Sequence, residues 1–179
     1  MAVREKWMES PVGKLRLVAE DGALVGLSME EQAHARAFDA ADGQGDPVLD
    51  EAARQLAAWF AGERTRFDLP LRPRGTPFQL AVWKALREIP FGETRSYGQI
   101  AADLGQPKAV RAIGAANGRN PIGIIVPCHR VIGADGTLVG YGGGMERKRW
   151  LLGHEREVLA RTGSGTSAQG ELRLGAGRG

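Results

Sequence analysis

The sequence predicts an α+β fold in two units: a small N-terminal α+β domain (residues 1–71) and a C-terminal helix-turn-helix-like domain (residues 72–156), with residues 157–179 as a disordered tail. Three observations carry this. Short segments of period-two alternation, punctuated by turn residues, give way to helical periodicity. Two short helical stretches are joined across a glycine-containing turn. Charge is segregated: residues 1–71 hold 8 Lys/Arg against 13 Asp/Glu, a net of −5, whereas residues 72–156 hold 13 against 6, a net of +7. Such a basic unit either faces a polyanion or is a solvated surface.

Trp7 and Met8 belong to a first strand, turned by Ser10-Pro11-Val12-Gly13. Lys14 to Ala19 alternates, and Asp21-Gly22 turns it into Ala23 to Met29, which is a β-hairpin by period and turn chemistry. Ala40 to Gly45 reads as a loop. Asp46 is then an N-cap with Pro47 just inside the helix. Leu49, Ala53, Leu56, Trp59 and Phe60 recur at helical spacing, and Gly62 ends the run. Nothing in this unit looks catalytic. His34 has no neighbouring His or Cys and reads as a surface residue.

Leu69 to Gly75 reads as a linker. Thr76-Pro77-Phe78-Gln79 is a capping box, opening a helix with Phe78, Val82, Trp83 and Leu86 on its apolar face and Pro90 as its stop. Ser96 caps a helix from Tyr97 to Leu104, Gly105-Gln106-Pro107 turns the chain, and a second helix runs from Lys108 to Asn117. That second helix is almost bare, with Ala109, Ala112, Gly114, Ala115 and Ala116. A helical Gly costs roughly 1 kcal/mol against Ala, so the smoothness serves close approach, either to another helix or to DNA. Gly118-Arg119-Asn120-Pro121 breaks it. Ile122 to Val126 is a β-branched apolar run of buried-strand length that delivers Pro127-Cys128-His129-Arg130. Asp135-Gly136 turns a hairpin between Val131-Ile132 and Thr137-Leu138-Val139. Gly140 to Gly144 precedes a last helix, Met145 to about Glu155.

Hydrophobic content of 42% and charged content of 25% are ordinary for a globular protein. No apolar run approaches membrane-spanning length and Met1 to Ser10 has no signal-peptide character, so a cytoplasmic protein is expected. One cysteine rules out an internal disulfide and a Cys-rich zinc site. A lone cysteine is either a small buried hydrophobe or a reactive thiol. As a nucleophile it must be the thiolate, and a free pKa near about 8.5 leaves little of it at neutral pH. Cys128 therefore needs a base or a cationic neighbour. His129 follows directly, and Glu155 could polarise it. Adjacent residues on a strand point to opposite faces, so a direct Cys128–His129 contact requires a turn or a bridging water.

Pro127-Cys128-His129-Arg130, with Asn120-Pro121 before it and Gly140-Tyr141-Gly142-Gly143 after it, closely resembles the methylated-DNA–protein-cysteine methyltransferases, also called O6-alkylguanine-DNA alkyltransferases. Arg74-Gly75-Thr76-Pro77-Phe78, Pro90-Phe91-Gly92-Glu93-Thr94 and Val110-Arg111-Ala112-Ile113-Gly114 extend the match from about Arg74 to Glu155. Residues 1–70 follow the family's variable N-terminal domain only loosely. The resemblance implies a ribonuclease H-like N-terminal domain and a winged helix-turn-helix-like C-terminal one. It also implies DNA repair by direct reversal: O6-alkylguanine, and O4-alkylthymine with it, is flipped from the duplex and dealkylated irreversibly, once per molecule.

By the same resemblance Cys128 would accept the alkyl group, and His129 would be its base through an ordered water, with Glu155 holding the other ring nitrogen. Tyr97 would hydrogen-bond the extruded guanine near N3, and Asn120 would brace the turn before the cysteine. Arg111 would enter through the minor groove and fill the gap, on a DNA surface made with Lys108, Ala109, Ala112, Gly114, Ala115, Arg119 and Arg130. Val131, Tyr141, Gly142, Gly143 and Lys148 would line the base pocket beside Tyr97. Double-stranded DNA carrying the lesion is the expected partner, with no membrane, no cofactor and no metal. Some relatives hold zinc through N-terminal Cys and His, and this chain has no cysteine there. A monomer is expected, with cooperative assembly on DNA left open. Gly142 stands where some relatives have a serine, which implies a more open pocket.

Three rivals are weaker. A non-repairing alkyltransferase-like protein lacks the acceptor cysteine. A cysteine hydrolase leaves the helix-turn-helix idle. A transcription regulator leaves Tyr97, Arg111 and Glu155 unexplained.

Overall fold

A computed structural model describes residues 2–138 and 140–163, and the fold is α+β. Strands β1 (Val3–Met8), β2 (Leu15–Glu20) and β3 (Ala23–Met29) form an antiparallel meander. The β2–β3 hairpin turns on Asp21 and Gly22 at φ 51° and 77°. Two successive positive φ values match the right-handed twist of the flanking strands. The stretch Ala40 to Gly45, expected as a loop, contains a two-residue strand β4 (Ala41–Asp42) parallel to β1, so the sheet order is β3-β2-β1-β4.

Helix α1 (Pro47–Phe60) begins where the Asp46 carboxylate accepts from the Val48 and Leu49 amides at 2.9 and 3.1 Å. It buries Leu49, Ala52, Leu56 and Trp59, with Ala53 and Phe60 partly covered. The expected linker is not a free tether. Leu24 N–H donates to the Pro70 carbonyl and Arg72 N–H donates to Leu24, each at 2.8 Å. The open edge of β3 has backbone groups to satisfy, and this segment satisfies both those of Leu24. Residues 121–123 take the next stretch, with Leu27 N–H donating to Pro121 at 2.9 Å and Gly123 N–H to Leu27 at 3.0 Å.

Helix α2 (Pro77–Arg87) carries the reciprocal Thr76–Gln79 capping box and buries Val82, Trp83 and Leu86. Trp83 Nε1 donates to Ala116 O at 2.8 Å. That bond ties α2 to the helix pair α3 (Tyr97–Asp103) and α4 (Val110–Gly118), which turns at Gly105. Both helices lie within two residues of their expected limits.

Three expectations are corrected. Ile122 to Val126 is buried but is no strand: it coils through Ile124 at φ 68°, with Val126 N–H returning to Ile122 O at 3.0 Å. Val131–Ile132 (β6) pairs in parallel with β5 (Arg95–Ser96) instead of forming a hairpin with 137–139. Thr137 only closes the Asp135-Gly136 turn by accepting from Gly133, and Val139 lies outside the described residues. The last helix, α5 (Met145–Gly163), outruns Glu155 by two turns because Val158 is buried and Leu159 packs on Gly92. Residues 157–163 of the expected tail are therefore helical, and 164–179 lie outside the described residues. No helix among the described residues is long and apolar enough to cross a membrane.

Gly92 sits at φ 83°, donates its N–H to Glu155 Oε1 at 3.0 Å, and has no room for a Cβ beside Leu159. Gly92→Ala should cost at least about 2 kcal/mol, from overpacking and backbone strain together. Gly22→Ala has a similar φ and open space, so it should cost only about 1 kcal/mol. Urea melts that give equal losses for the two would refute this reading of the Gly92 contact.

Candidate active site

The coil before the cysteine is held by one side chain. Asn120 Nδ2 donates to Val126 O at 2.7 Å, while Asn120 Oδ1 accepts from Ile122 N–H at 3.0 Å. A β-branched residue at positive φ costs on the order of 1–3 kcal/mol, so Ile124 persists only because this clamp and the β3 edge over-determine it. The chain then enters a 3₁₀ turn, Cys128–Arg130, in which Cys128, His129 and Arg130 are all buried. A turn rather than a strand at Cys128 is what allows consecutive Cys and His side chains to serve one site.

His129 is fully buried, and its Nε2 lies 2.7 Å from Glu155 Oε2. An ionised carboxylate only accepts, so Nε2 carries the proton and Nδ1 keeps a lone pair. Nδ1 is buried and makes no hydrogen bond within the described residues. Burial pushes the His129 imidazole below its ordinary value, and the positive charges of Arg130 and Lys148 add to this against the pull of Glu155. Burial acts to raise the Glu155 carboxyl, but His129 and Arg130 outweigh it and hold it well below the usual carboxylate range. His129 is thus a neutral base at neutral pH.

Cys128, Tyr97, Tyr141, Lys148 and Asn120 come together. Burial pushes the Cys128 thiol up, while the Asn120 side chain and the Lys148 charge pull it back. Lys148 is fully buried, donates from Nζ to Val131 O at 2.6 Å, and is brought down to about 8 by burial, with Cys128 opposing. Tyr97, half-buried at the start of α3, and Tyr141 are both raised, first by burial and then by the nearby Cys128. Both phenols therefore stay protonated donors beside the sulfur.

On α4 the side chains divide by face. Arg111, Ala112 and Ala115 are exposed on it, with Lys108 in the turn before it and Arg119 at its C-cap exposed as well, whereas Ile113, Ala116 and Asn117 are buried and Ala109, the N-cap, is intermediate. Gly114 is half-buried and turns toward Tyr97, whose ring would stand 3.8 Å from an added Cβ. Arg130, expected on the DNA surface, is instead internal. Its Nε and Nη2 donate to Glu155, its Nη1 donates to Ile89 O at 2.7 Å, and its guanidinium lies 5.6 Å from the Phe91 ring centroid. An arginine 6% exposed and committed to a carboxylate cannot reach a phosphate. The Gly142 position is also not open: a Cβ there would stand 3.1 Å from Ala33 O, and Gly142 O accepts from Ala33 N–H at 2.8 Å. At Gly143 the Met29 sulfur and the Tyr141 ring fill the space.

Two residues escaped the sequence reading. Asn117, buried on α4, donates from Nδ2 toward Cys128 O at 3.4 Å and its side chain hydrogen-bonds Tyr97, joining helix, nucleophile and phenol. Trp59, at the end of α1, meets the His129 ring edge-on at 6.4 Å and packs on Phe91 and His154. Neither could be read from spacing, since each acts across more than ten residues of sequence or from the other unit. Among the described residues no cluster of three His, Cys, Asp or Glu is placed to hold a metal. A cavity of about 730 Å³ beside Arg66, Arg87, Phe91, Pro127 and Arg130 does not include Cys128, Tyr97 or Tyr141.

Residues 77–157 match the family model described as 6-O-methylguanine DNA methyltransferase, DNA binding domain, and residues 3–73 match its ribonuclease-like domain. The likeness thus reaches well into the unit that motifs alone left loosely matched. A methylated-DNA–protein-cysteine methyltransferase of Mycobacterium bovis is 52% identical over 155 residues, which cover 86% of this chain and 93% of that protein. One of Methanosarcina acetivorans is 49% identical over 144 residues, covering 80% and 92%. Among solved structures, Mycobacterium tuberculosis OGT in complex with DNA superposes with a TM-score of 0.82 at 52% identity, covering 87% of this chain and 94% of that one.

The thiol's surroundings predict its reactivity. Iodoacetamide should modify Cys128 at least about tenfold more slowly than an exposed cysteine at neutral pH, because burial suppresses both access and ionisation. Lys148→Met should slow it further, since the lysine charge that favours thiolate is present below about 8 and fades above it. Intact-mass time courses that coincide for the two proteins would remove Lys148 from the sulfur's field.

Proposed function

The chain belongs to the methylated-DNA–protein-cysteine methyltransferases, DNA-repair proteins that move an alkyl group from damaged DNA to a cysteine, and on that premise we propose how its site works. Cys128, the chain's sole cysteine, is the acceptor. O6-alkylguanine leaves the stack, because an oxygen inside a duplex cannot meet an in-line nucleophile. His129 Nδ1 takes the thiol proton through an ordered water, and Glu155 balances the imidazolium that forms. Sγ bonds the alkyl carbon, the carbon–O6 bond breaks, and its electron pair passes to the guanine. Tyr97 donates to the base and offsets that charge. The product thioether has no thiol-exchange route back, so each molecule acts once.

The observation that carries this reading is the orientation of His129. Its Nε2 is committed to Glu155 at 2.7 Å, which leaves Nδ1 as the lone pair of a neutral imidazole one residue from a buried thiol. Val131, Tyr141, Gly142, Gly143 and Lys148 enclose the base. The exposed face of α4, with Arg111, Ala112 and Ala115 and with Lys108 and Arg119 at its two ends, meets the minor groove, and Arg111 replaces the flipped nucleotide. We assign residues 1–71 to a supporting domain and 72–156 to DNA binding and chemistry, acting in the cytoplasm. One chain supplies Cys128, His129, Glu155, Tyr97 and Arg111, so a monomer suffices.

Incubation with a duplex carrying O6-methylguanine should add one methyl at Cys128, by intact mass, with no second turnover. Cys128→Ala should bind the duplex undiminished and leave the methyl on the DNA. Demethylation by that variant would overturn the acceptor assignment.

Arg111 has a blander alternative as one more phosphate contact. Loss of a phosphate contact should weaken binding to all DNA and lower the salt slope by roughly one unit. Loss of a stack-filling side chain should slow repair, because extrusion costs a few kcal/mol that the wedge offsets. Arg111→Ala should therefore lose more rate on a paired lesion than on a single-stranded one, while Lys108→Ala loses about equally on both. Equal losses for Arg111→Ala would sink the stack-filling role.

A further inference from the structure

The buried arginine of the 3₁₀ turn is unused by the mechanism above and ill-suited to its place if it were a DNA contact. Arg130 Nε lies 3.0 Å from both Glu155 oxygens and Nη2 lies 2.8 Å from Oε2, a fork that addresses the carboxylate side-on. Nη1 is anchored on Ile89 O at 2.7 Å, and the Phe91 ring covers the guanidinium. Glu155 is thus held by Arg130, by Gly92 N–H at 3.0 Å and by His129, with both oxygens occupied. We propose that Arg130 is a positioning residue for alkyl transfer: by gripping Glu155 it keeps the carboxylate charged and oriented, and so keeps His129 a neutral base with Nδ1 turned to the thiol. This inference rests on the reading of Cys128 and His129 given above.

The electrostatic argument is a balance of neighbours. Around His129 stand Glu155 and Lys148 from α5, Arg130 and Cys128 from its own turn, and the Trp59 ring from α1, with His154 packed against that same ring. Tyr141 faces the same cluster and senses both Cys128 and Glu155. With Arg130 in place, the Glu155 charge is already matched, and a second proton on His129 would add an unmatched buried cation. Without it, Glu155 has only His129 to pair with, and the imidazole is drawn to the protonated form. A protonated His129 cannot accept the thiol proton. An arginine is suited to this task because its fork grips a carboxylate bidentately and its charge does not titrate.

The test is the pH dependence of single-turnover methyl transfer, with intact mass locating the methyl. The rate rises with pH as His129 becomes neutral, so the acidic limb reports its ionisation. Arg130→Gln keeps an amide donor and removes the charge. It should move that limb upward by about one pH unit, so that repair falls by up to about tenfold on the acidic limb and recovers to within about threefold near pH 9. Arg130→Lys keeps the charge and loses the fork, so it should lower the rate at every pH and leave the limb in place. A purely structural arginine would instead give equal losses across pH in both variants, and that result overturns the proposal. If Arg130→Gln fails to fold, Arg130→Met takes its place as the charge-removing variant: an acidic limb moved upward supports the proposal, and a loss equal at every pH overturns it. Wild-type protein that gains no methyl on Cys128 would instead sink the underlying reading, whatever the variants do.

Discussion

A single buried carboxylate holds the working half of this protein together. Glu155 gathers N–H donors from three residues in two parts of the chain: Gly92 before the helix pair, and His129 and Arg130 in the 3₁₀ turn. Burying a lone carboxylate would cost several kcal/mol, and removing a partner from such a group leaves the charge uncompensated. The surrounding structure reads as the set of constraints that keep those partners in place. Helix α5 must run past Glu155 so that Val158 and Leu159 can seat it. Gly92 must lack a side chain so that its amide can approach. Lys148, two turns earlier on α5, donates its ammonium to the Val131 carbonyl and sets its charge near the Cys128 thiol.

The N-terminal sheet contributes by its edge. β3 hydrogen-bonds residues 70–72 and then 121–123, so the segment that leads into Cys128 is built onto the sheet. Trp59 reaches from α1 to the ring of His129 and also accepts, through its carbonyl, a 2.9 Å bond from the His154 ring. A unit with no reactive group of its own thus sets the height of the nucleophile and the tilt of the base. Cutting the chain at the linker would strip backbone partners from Leu24 and Leu27 as well as a covering ring from His129.

Local signals were legible and long-range ones were not. The Asp21-Gly22 hairpin, the Asp46 cap, the Thr76–Gln79 box, the Ser96 cap and the Gly105 turn each lie within a few residues, and the structure has each of them. Motifs and chemistry also single out Cys128, His129 and Glu155, and the structure brings the three together. Ile122 to Val126 was read as a strand because β-branched apolar residues favour strands, but its backbone partners are Leu27 and its own turn. The resemblance places Arg130 on the DNA surface, and nothing in the sequence says that Glu155 will reach it. Val158 and Leu159 extend the Leu151, Leu152 and Glu155 stripe by one turn, a periodicity present in the sequence but masked by the glycine-rich stretch that follows.

The buried charges also sharpen what the basic balance means. Residues 72–156 carry 13 cationic and 6 acidic side chains. Arg130 and Lys148 are buried, and so are Glu93 and Glu155, so the internal charges cancel in sign. Eleven cations against four acids remain at or near the surface, and the excess of +7 is all outward. Arg111 on α4, Lys108 just before it and Arg119 at its C-cap take part in none of the salt bridges among the described residues. Charges not matched within the protein are the ones that gain most by displacing counterions from a phosphate backbone. The same chain therefore spends its arginines in two opposite ways. Arg130 is desolvated and matched to hold a base neutral, whereas those on α4 stay hydrated and unmatched until a polyanion arrives.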